Sequence, residues 1–589
     1  MTFYPIKVIE KPLRSHGVWL GLSVGFAVLY GFLFWRIALN GEYAIQEDAR
    51  QHIFWMQRFV DPGLFPNDLI ADYFQSIAPD GYKALYYGAT KLGLSPLLFS
   101  KIIPPFLGVI VTLYGFYLCF AIIPNPAVSF AFTLMLNQSI WMLPDIGSGT
   151  ARAFAMPLLL AFLYYRTQAN RLAIVIVILL QGLFYPHLVF LSVGTLVFGL
   201  WNWKPDSVAL QWSNDRNNYL LCGLGTIAGV LILLPFVLST STYSPVITAA
   251  EARVSAEFLP GGRHAFFVAD PWVMWIAGRG GIFPTNFNPF FICTGFLLPF
   301  ILWLRSQGEA SHTVLKCAGT RLAWFGTITP QSIVLLQFLA SSLGLFCASS
   351  LLLFKLHNPN RYTHSSIRIV LTLSAAIVLI GLLQILNEWI TERFPQSLGR
   401  SFVLTIASTM VWGILVFYPA TLNDFLDVQY EKSNHGALYQ YLQQQPKDIK
   451  IASLAVESGN ISTFAARSVL VSPEHSIAYH QGYYRQIKTR IQDLIEAQYT
   501  EQRSVLKAVI EKYHITFWLL DNKSFDPEAM REYHWLQQFQ PQVNGVVEQL
   551  EQGKVPLLNQ LRSSCLVLED QEITLLEAQC ILKESISVL

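Results

Sequence analysis

Long apolar runs separated by short polar stretches fill the first two thirds of the chain. They fall at 18–39, 96–123, 127–143, 153–165, 172–184, 188–201, 219–238, 289–304, 332–354, 369–386 and 402–418. A helix needs about 20 apolar residues to cross a bilayer. The pattern therefore predicts a polytopic α-helical membrane protein with about eleven transmembrane helices. The short runs between 153 and 201 also suit re-entrant or broken helices. Two connections, at about 40–95 and 239–288, are far longer than a turn requires. No internal repeat and no low-complexity linker interrupts the pattern.

From about residue 423 the pattern changes. Apolar runs shorten to strand length in IKIASLAV, SVLVS, ITFWLLD and CLVLED. Between them, YYRQIKTRIQDLIEAQY and RSVLKAVIEKY carry the spacing of amphipathic helices. This alternation predicts a C-terminal α/β domain over 423–589, with a mostly parallel sheet and a final hairpin around Cys565–Cys580. The transmembrane domain then occupies 1–422.

Composition agrees with the pattern. Of 589 residues 53% are hydrophobic and only 13% charged, and the net charge of +2 argues against a nucleic-acid partner. The first apolar run is too long for a cleaved signal peptide, and no small-residue cleavage site follows it. Lys and Arg orient the chain. Lys7, Lys11, Arg14, Arg166, Arg171, Lys204, Arg216, Arg305, Lys316, Arg321, Arg393 and Arg400 fall on one side, taken as cytoplasmic. An odd number of spans then places the C-terminal domain outside, in a plasma membrane of bacterial type. Five of seven cysteines (Cys119, Cys222, Cys293, Cys317 and Cys347) lie in or near apolar runs and read as small core residues. Cys565 and Cys580 lie in the polar region, where an oxidising compartment would allow a disulfide.

The unusual stretch is 44–74, AIQEDARQHIFWMQRFVDPGLFPNDLIADYF, directly after the first span. It gathers five carboxylates, two arginines and a histidine. A carboxylate at the membrane surface can act as a general base, so Asp48 and Glu47 are the catalytic candidates. Arg50 and His52 stand close enough in sequence to pair with them or with a phosphate. Ile53, Phe54, Met56, Phe59 and Val60 form an apolar face for the bilayer interface or for other helices. Asp61 and Asp68 read as solvated or capping residues.

An acidic pair after the first span, at the head of a long first outer loop, resembles the GT-C type glycosyltransferases. The aminoarabinose transferases and protein O-mannosyltransferases carry an Asp-Glu-x-Arg-like sequence there. This chain reads Glu47-Asp48-Ala49-Arg50, with the acids reversed, so either acid can match the family's carboxylate; Asp48 is favoured. The resemblance implies a sugar donor on polyprenyl phosphate and a lipid, glycan or protein acceptor at the outer face. A first-loop carboxylate would be the base, and basic residues would hold the leaving phosphate.

The loop KLHNPNRYTHSSIR, on the side expected to be poor in cations, supplies His357, Arg361 and His364 as phosphate candidates. Lys355 and Arg368 are expected to snorkel. His187 in Tyr185–His187 is either a phosphate ligand or a kink histidine bonded to a backbone carbonyl. Arg152, at the end of GSGTAR, is a further candidate. Glu251, Arg253, Arg263, His264 and Asp270 in the second long loop read mostly as surface residues. Glu474, His475, His480 and Tyr483–Tyr484 read as a structural cluster. No metal motif and no nucleotide loop is present. No cofactor is called for, although Glu47 with Asp48 can help hold a divalent cation. The alternative readings are a lipid or polysaccharide transporter and a membrane-anchored envelope assembly protein. Acids near the bilayer midplane or an internal repeat would favour the transporter.

Overall fold

The computed structural model describes residues 12–203, 210–238, 242–284, 287–310, 322–393, 398–423, 425–427 and 429–584. Lys7, Lys11, Lys204, Lys316, Cys317 and Arg321 lie outside the described residues. Each predicted apolar run is helical. The long helices are α1 (Pro12–Ala38), then, beyond the short α2 (Glu47–Ile53), α3 (Pro96–Ile122), α4 (Pro126–Ile140), α5 (Ala155–Thr167), α6 (Arg171–Phe184) and α7 (His187–Phe198). They continue as α8 (Arg216–Leu238), α9 (Leu298–Ala310), α10 (Ile333–Leu351), α11 (Asn360–Arg393) and α12 (Leu398–Phe417). Among the described residues, six helical stretches are long and apolar enough to cross a membrane: His16–Ala38, Pro96–Ile122, Arg216–Phe236, Pro330–Leu351, Asn360–Glu392 and Phe402–Thr421. The chain is thus an integral membrane protein. Arg171–Phe184, His187–Phe198 and Phe290–Ser306 are shorter apolar helices.

The helix starts follow from local chemistry. Ser95 caps α3 and Asn125 caps α4, each ahead of a proline that has no amide to leave unsatisfied. Asn170 caps α6. Helices pack closely where small or polar residues meet. A Cβ on Gly31 of α1 would come within 2.7 Å of Pro105 of α3. Between α1, α3 and α4 the amide of Asn137 donates to Thr112 at 2.8 Å, and Thr133 donates to Ser23 at 3.0 Å. The outward face of α8, with Leu224, Ile227, Val230, Leu231 and Leu234, is exposed and apolar, as a lipid-facing surface must be.

The two long connections are folded. The first carries strand β1 (Ala44–Gln46), α2, a 3₁₀ turn at Phe54–Phe59 and helices at Leu69–Ile77 and Asp80–Lys91. Its apolar residues Ile53, Phe54, Trp55 and Met56 are fully buried, so they pack on protein and not on the bilayer. Asp68 caps the helix at Leu69–Ile77, and Asp61 pairs with Lys447.

The C-terminal part begins with β2 (Tyr430–Lys432), which pairs antiparallel with β1. It continues into a five-stranded sheet built from β3 (Lys450–Ala452), β4 (Ser468–Val469), β5 (Phe517–Asp521), β6 (Leu566–Asp570) and β7 (Ile573–Glu577), in the order β4-β3-β5-β7-β6. The expectation of a mostly parallel sheet is corrected. β3 is parallel to β4 and β5, but β5 with β7 and β6 with β7 are antiparallel. The closing hairpin turns at Gln571, whose φ is 55°, and lays β7 directly beside β5. Cys565 and Cys580 at its base are disulfide-bonded.

A buried polar knot ties these parts together. Glu474 accepts from Arg50 of α2 at 3.4 Å and forms an ion pair with Arg263 of the second long connection at 3.3 Å. Its carbonyl accepts from Gln51 at 2.6 Å and from Arg263 at 2.7 Å. Arg50 also donates to Asn460 at 2.8 Å. Nearby, Tyr73 of the first connection stacks on Tyr483 at 3.8 Å, and Glu257 of the second accepts from Tyr484 and Lys488.

Removing one member of a buried ion pair leaves its partners charged and desolvated. Glu474→Ala is expected to destabilise the protein by about 3 kcal/mol. Asp61→Ala, which removes an exposed pair with Lys447 and a turn hydrogen bond from Gly63 N, should shift thermal unfolding in detergent far less than Glu474→Ala does. Equal melting temperatures for Glu474→Ala and wild type would refute the knot's role.

Candidate active site

Pairing of β1 with β2 fixes where α2 starts. Glu47 N donates to the Gln429 carbonyl at 2.9 Å, and the Gln46 side chain caps the helix through Ala49 N at 3.2 Å. Successive side chains on a helix diverge by about 100°, so the two acids part. Glu47 lies on the side of Glu474, Arg50 and Glu431, and its removal from water raises its pKa. Asp48 faces the ends of the membrane helices and accepts from Arg152 Nη1 at 3.2 Å.

Arg152 is shared. The same nitrogen donates to Asp145 at 3.1 Å. Asp145 sits in the turn after α4, as Glu47 and Asp48 follow α1. The sequence reading passed over it, although an acid directly after an apolar run is the same signal that singled out the first pair. Burial opposes its charge, but Arg152, His364 and Arg361 together hold its pKa below the usual carboxylate range. Asp48 and then Asp145 hold Arg152 firmly protonated. The turn that presents Arg152 depends on Gly149. Its φ is +63°, and a Cβ there would lie 2.6 Å from the Ser100 carbonyl. Tyr86 donates to the Gly149 carbonyl at 2.8 Å and anchors the turn.

The basic connection between α10 and α11 delivers its side chains to the same end of the bundle. His357 takes a left-handed conformation, φ 61°, which is strained for a side chain with a Cβ. This turns its ring edge-on to His187, with centroids 4.3 Å apart. Arg361 donates to the hydroxyl of Tyr185. His187 Nδ1 is buried with no hydrogen-bond partner among the described residues, so the backbone-bonded kink histidine is not what forms. His364 and Ser365 line a narrow cleft with Asp145, Arg152, Ile140 and Met156. Arg368 does not snorkel. It is 2% exposed and donates to Ser139. Arg361, His364 and Arg368 recur at the spacing that places them on one face of α11.

His52 joins this group, and Arg50 does not. His52 lies within the fields of Asp48, Arg152 and Arg361, and burial pushes its pKa down to about 4. Arg50 is committed to Glu474 and Asn460. The candidates thus divide into Asp48, His52, Arg152, His187, His357, Arg361 and His364 at the helix ends, and Glu47 and Arg50 at the knot. Tyr185 and Asp145 are additions. The cation between the two aspartates is a guanidinium, and no group of three or more His, Cys, Asp or Glu residues among the described residues is arranged to hold a metal ion.

Chemically, the site sets the Asp48 carboxylate at the helix ends opposite the Arg361 guanidinium and the imidazoles of His187, His357 and His364. A carboxylate can orient or deprotonate a hydroxyl. Guanidinium and imidazole groups suit an anionic oxygen.

No protein-family model matches the chain, and no curated protein matches it. Solved structures do. The oligosaccharyltransferase of Archaeoglobus fulgidus, tethered to an acceptor peptide with an NVT sequon, superposes with a TM-score of 0.51 at 13% identity. The match covers 89% of this chain and 72% of that one. The same archaeal enzyme, AglB, in complex with an inhibitory peptide and a dolichol-phosphate, gives a TM-score of 0.50 with the same coverage. The chain therefore shares the fold of that archaeal oligosaccharyltransferase.

The buried imidazoles carry a pH signature. His52 is pushed down to about 4 and His264 to about 3, while His357 and His475 lie well below the ordinary value, each chiefly through burial. Each folded pKa is below the unfolded value of about 6.5. The unfolded chain thus binds more protons below that pH, and stability falls as pH drops from about 6.5 through the folded values. Glu47, Asp68 and Glu457, raised in the fold chiefly by burial, work in the opposite direction, but their ordinary carboxylate range lies below the window in which the histidines act. The melting temperature in detergent should be lower at pH 5 than at pH 7.5; a flat or rising profile would contradict these burials.

Proposed function

We propose that this protein is a glycosyltransferase that moves a sugar from a polyprenyl-phosphate donor to an acceptor at the outer face of the membrane. The observation that carries the reading is the placement of Asp48, held by Arg152, across from Arg361, His187, His357 and His364 at one end of the helices. The fold supports it, since the archaeal oligosaccharyltransferase that shares it was solved with a dolichol-phosphate in one structure and an acceptor peptide in another. In this reading the chain crosses the membrane eleven times. Residues 1–422 form the transmembrane domain, and 423–589 form an extracytoplasmic α/β domain of a bacterial plasma-membrane protein. The Cys565–Cys580 disulfide suits an oxidising compartment on that side.

The reaction forms a bond between the acceptor oxygen and the anomeric carbon and breaks the bond from that carbon to the phosphate oxygen. Asp48 takes the acceptor proton. Arg152 orients Asp48 until then, and Asp145 shares the same guanidinium nitrogen. The phosphate leaves with the electron pair of the broken bond, and Arg361 with His364, His187 and His357 receives it. Tyr185 fixes the direction of Arg361. Glu47 and Arg50 set the position of α2 through the knot.

The test is transfer from a synthetic polyprenyl-phosphate sugar by the purified protein in nanodiscs. Asp48→Asn should lower kcat by about 10²–10⁴-fold, the range for a lost general base, with donor binding retained. Glu47→Gln should stay within tenfold of wild type in kcat. Arg361→Ala should raise the donor KM, and Arg305→Ala should not. Full turnover by Asp48→Asn would refute the base assignment.

A further inference from the structure

The second long connection carries an apolar surface that the proposed reaction does not use. Its segment 269–277 reads ADPWVMWIA. Trp272 is 66% exposed and Trp275 47%, with Val273 exposed between them. An exposed tryptophan pair costs solvation in water unless something covers it. The segment is nevertheless held in place. Asp270 accepts from Trp272 N at 2.8 Å through its side chain and from Met274 N at 2.9 Å through its carbonyl, which starts a single wide helical turn at Val273–Ala277. The chain then doubles back. Ile282 N donates to the Trp275 carbonyl and Phe283 N to the Ile276 carbonyl, both at 3.0 Å.

That return segment fixes where the tryptophans sit. Ile282, Phe283 and Phe287 pack on Ile292, Ile367 and Leu371. Ile367 and Leu371 belong to α11, a membrane-crossing helix, and Ile292 opens the apolar stretch Phe290–Ser306. Phe290, Phe296 and Phe300 on that stretch are exposed and carry the apolar surface on toward the bilayer. The tryptophan turn is thus tied, through Ile282 and Phe283, to residues of a membrane-crossing helix and of an apolar stretch whose own aromatics are exposed. Tryptophan is the residue that belongs at the headgroup level, with its ring among acyl carbonyls and its N–H wet.

We infer that Trp272 and Trp275 insert into the bilayer interface on the loop-bearing side, making the segment 269–277 a lipid-bound anchor for the second long connection. Just before this segment, midway along the connection, Arg263 is clamped on Glu474. The loop is thereby stretched between the membrane and the C-terminal part, beside the helix ends that hold the site. This goes beyond the proposed reaction and does not depend on it.

The experiment reconstitutes the full-length protein in phosphatidylcholine vesicles brominated near the carbonyl end of the acyl chains. Wild type is compared with the Trp272→Phe/Trp275→Phe variant, which keeps aromatic bulk. The emission that the variant lacks should be quenched at least twofold by brominated lipid and much less by aqueous iodide. Quenching by iodide and not by brominated lipid would place the pair in water and overturn the inference. Protection from both quenchers, with cross-linking between copies through positions 272 and 275, would assign the surface to a protein contact and overturn it equally.

Discussion

The carboxylate of Glu474 is the interaction on which the rest of the arrangement depends. It lies between Arg50 from the first long connection and Arg263 from the second, and its own carbonyl takes two more hydrogen bonds from the same segments. Three parts of the chain that are hundreds of residues apart meet at one buried charge. Such a knot contributes little net stability, because desolvating the ions offsets most of their attraction. Its value is geometric. A buried charge tolerates one arrangement of partners, so α2 is fixed in rotation about its axis, and Asp48 is aimed at the helix ends.

The site shows the same economy on the other face of α2. Arg152 divides one guanidinium nitrogen between Asp48 and Asp145, both partly exposed. The arginine thus orients Asp48 without being committed to it alone. Across from them the imidazoles of His52 and His357 stay neutral through burial, and Arg361 is oriented by Tyr185. A left-handed His357 and a glycine-dependent turn at Gly149 are the two backbone positions where local conformation serves this geometry.

The second long connection behaves as part of the scaffold as well. Of the residues expected at the surface, His264 is buried and Arg263 is half-buried against Glu474; Glu257 is buried as well, while Trp272 and Trp275 face outward. Inward charges and outward aromatics invert the usual order of a soluble loop. The inversion is what a loop laid between a membrane surface and a folded domain requires, since one side meets protein polar groups and the other lipid.

How much of this was legible in the chain follows from the range of the forces involved. Apolar run length is a local property, and it located every long helix. Alternating short runs did the same for β3 to β6 and for the helices Gln481–Tyr499 and Arg503–Tyr513. The acid pair, the YPH segment and the basic loop before α11 stood out because charges in so apolar a chain are costly without a purpose. What the sequence could not determine was the partnership of those charges. Arg50 and Arg152 are equally plausible neighbours of Asp48 by type, and Arg50 is nearer in sequence, yet helical rotation sends it to Glu474. Asp145 was overlooked until the fold placed it against Arg152, and Arg368 turned inward to Ser139 where a long flexible side chain was expected to reach the interface. Hydrophobic patterning fixes where the chain crosses the membrane. Which ions meet depends on helix rotation and on contacts between distant segments, and only the tertiary structure decides those.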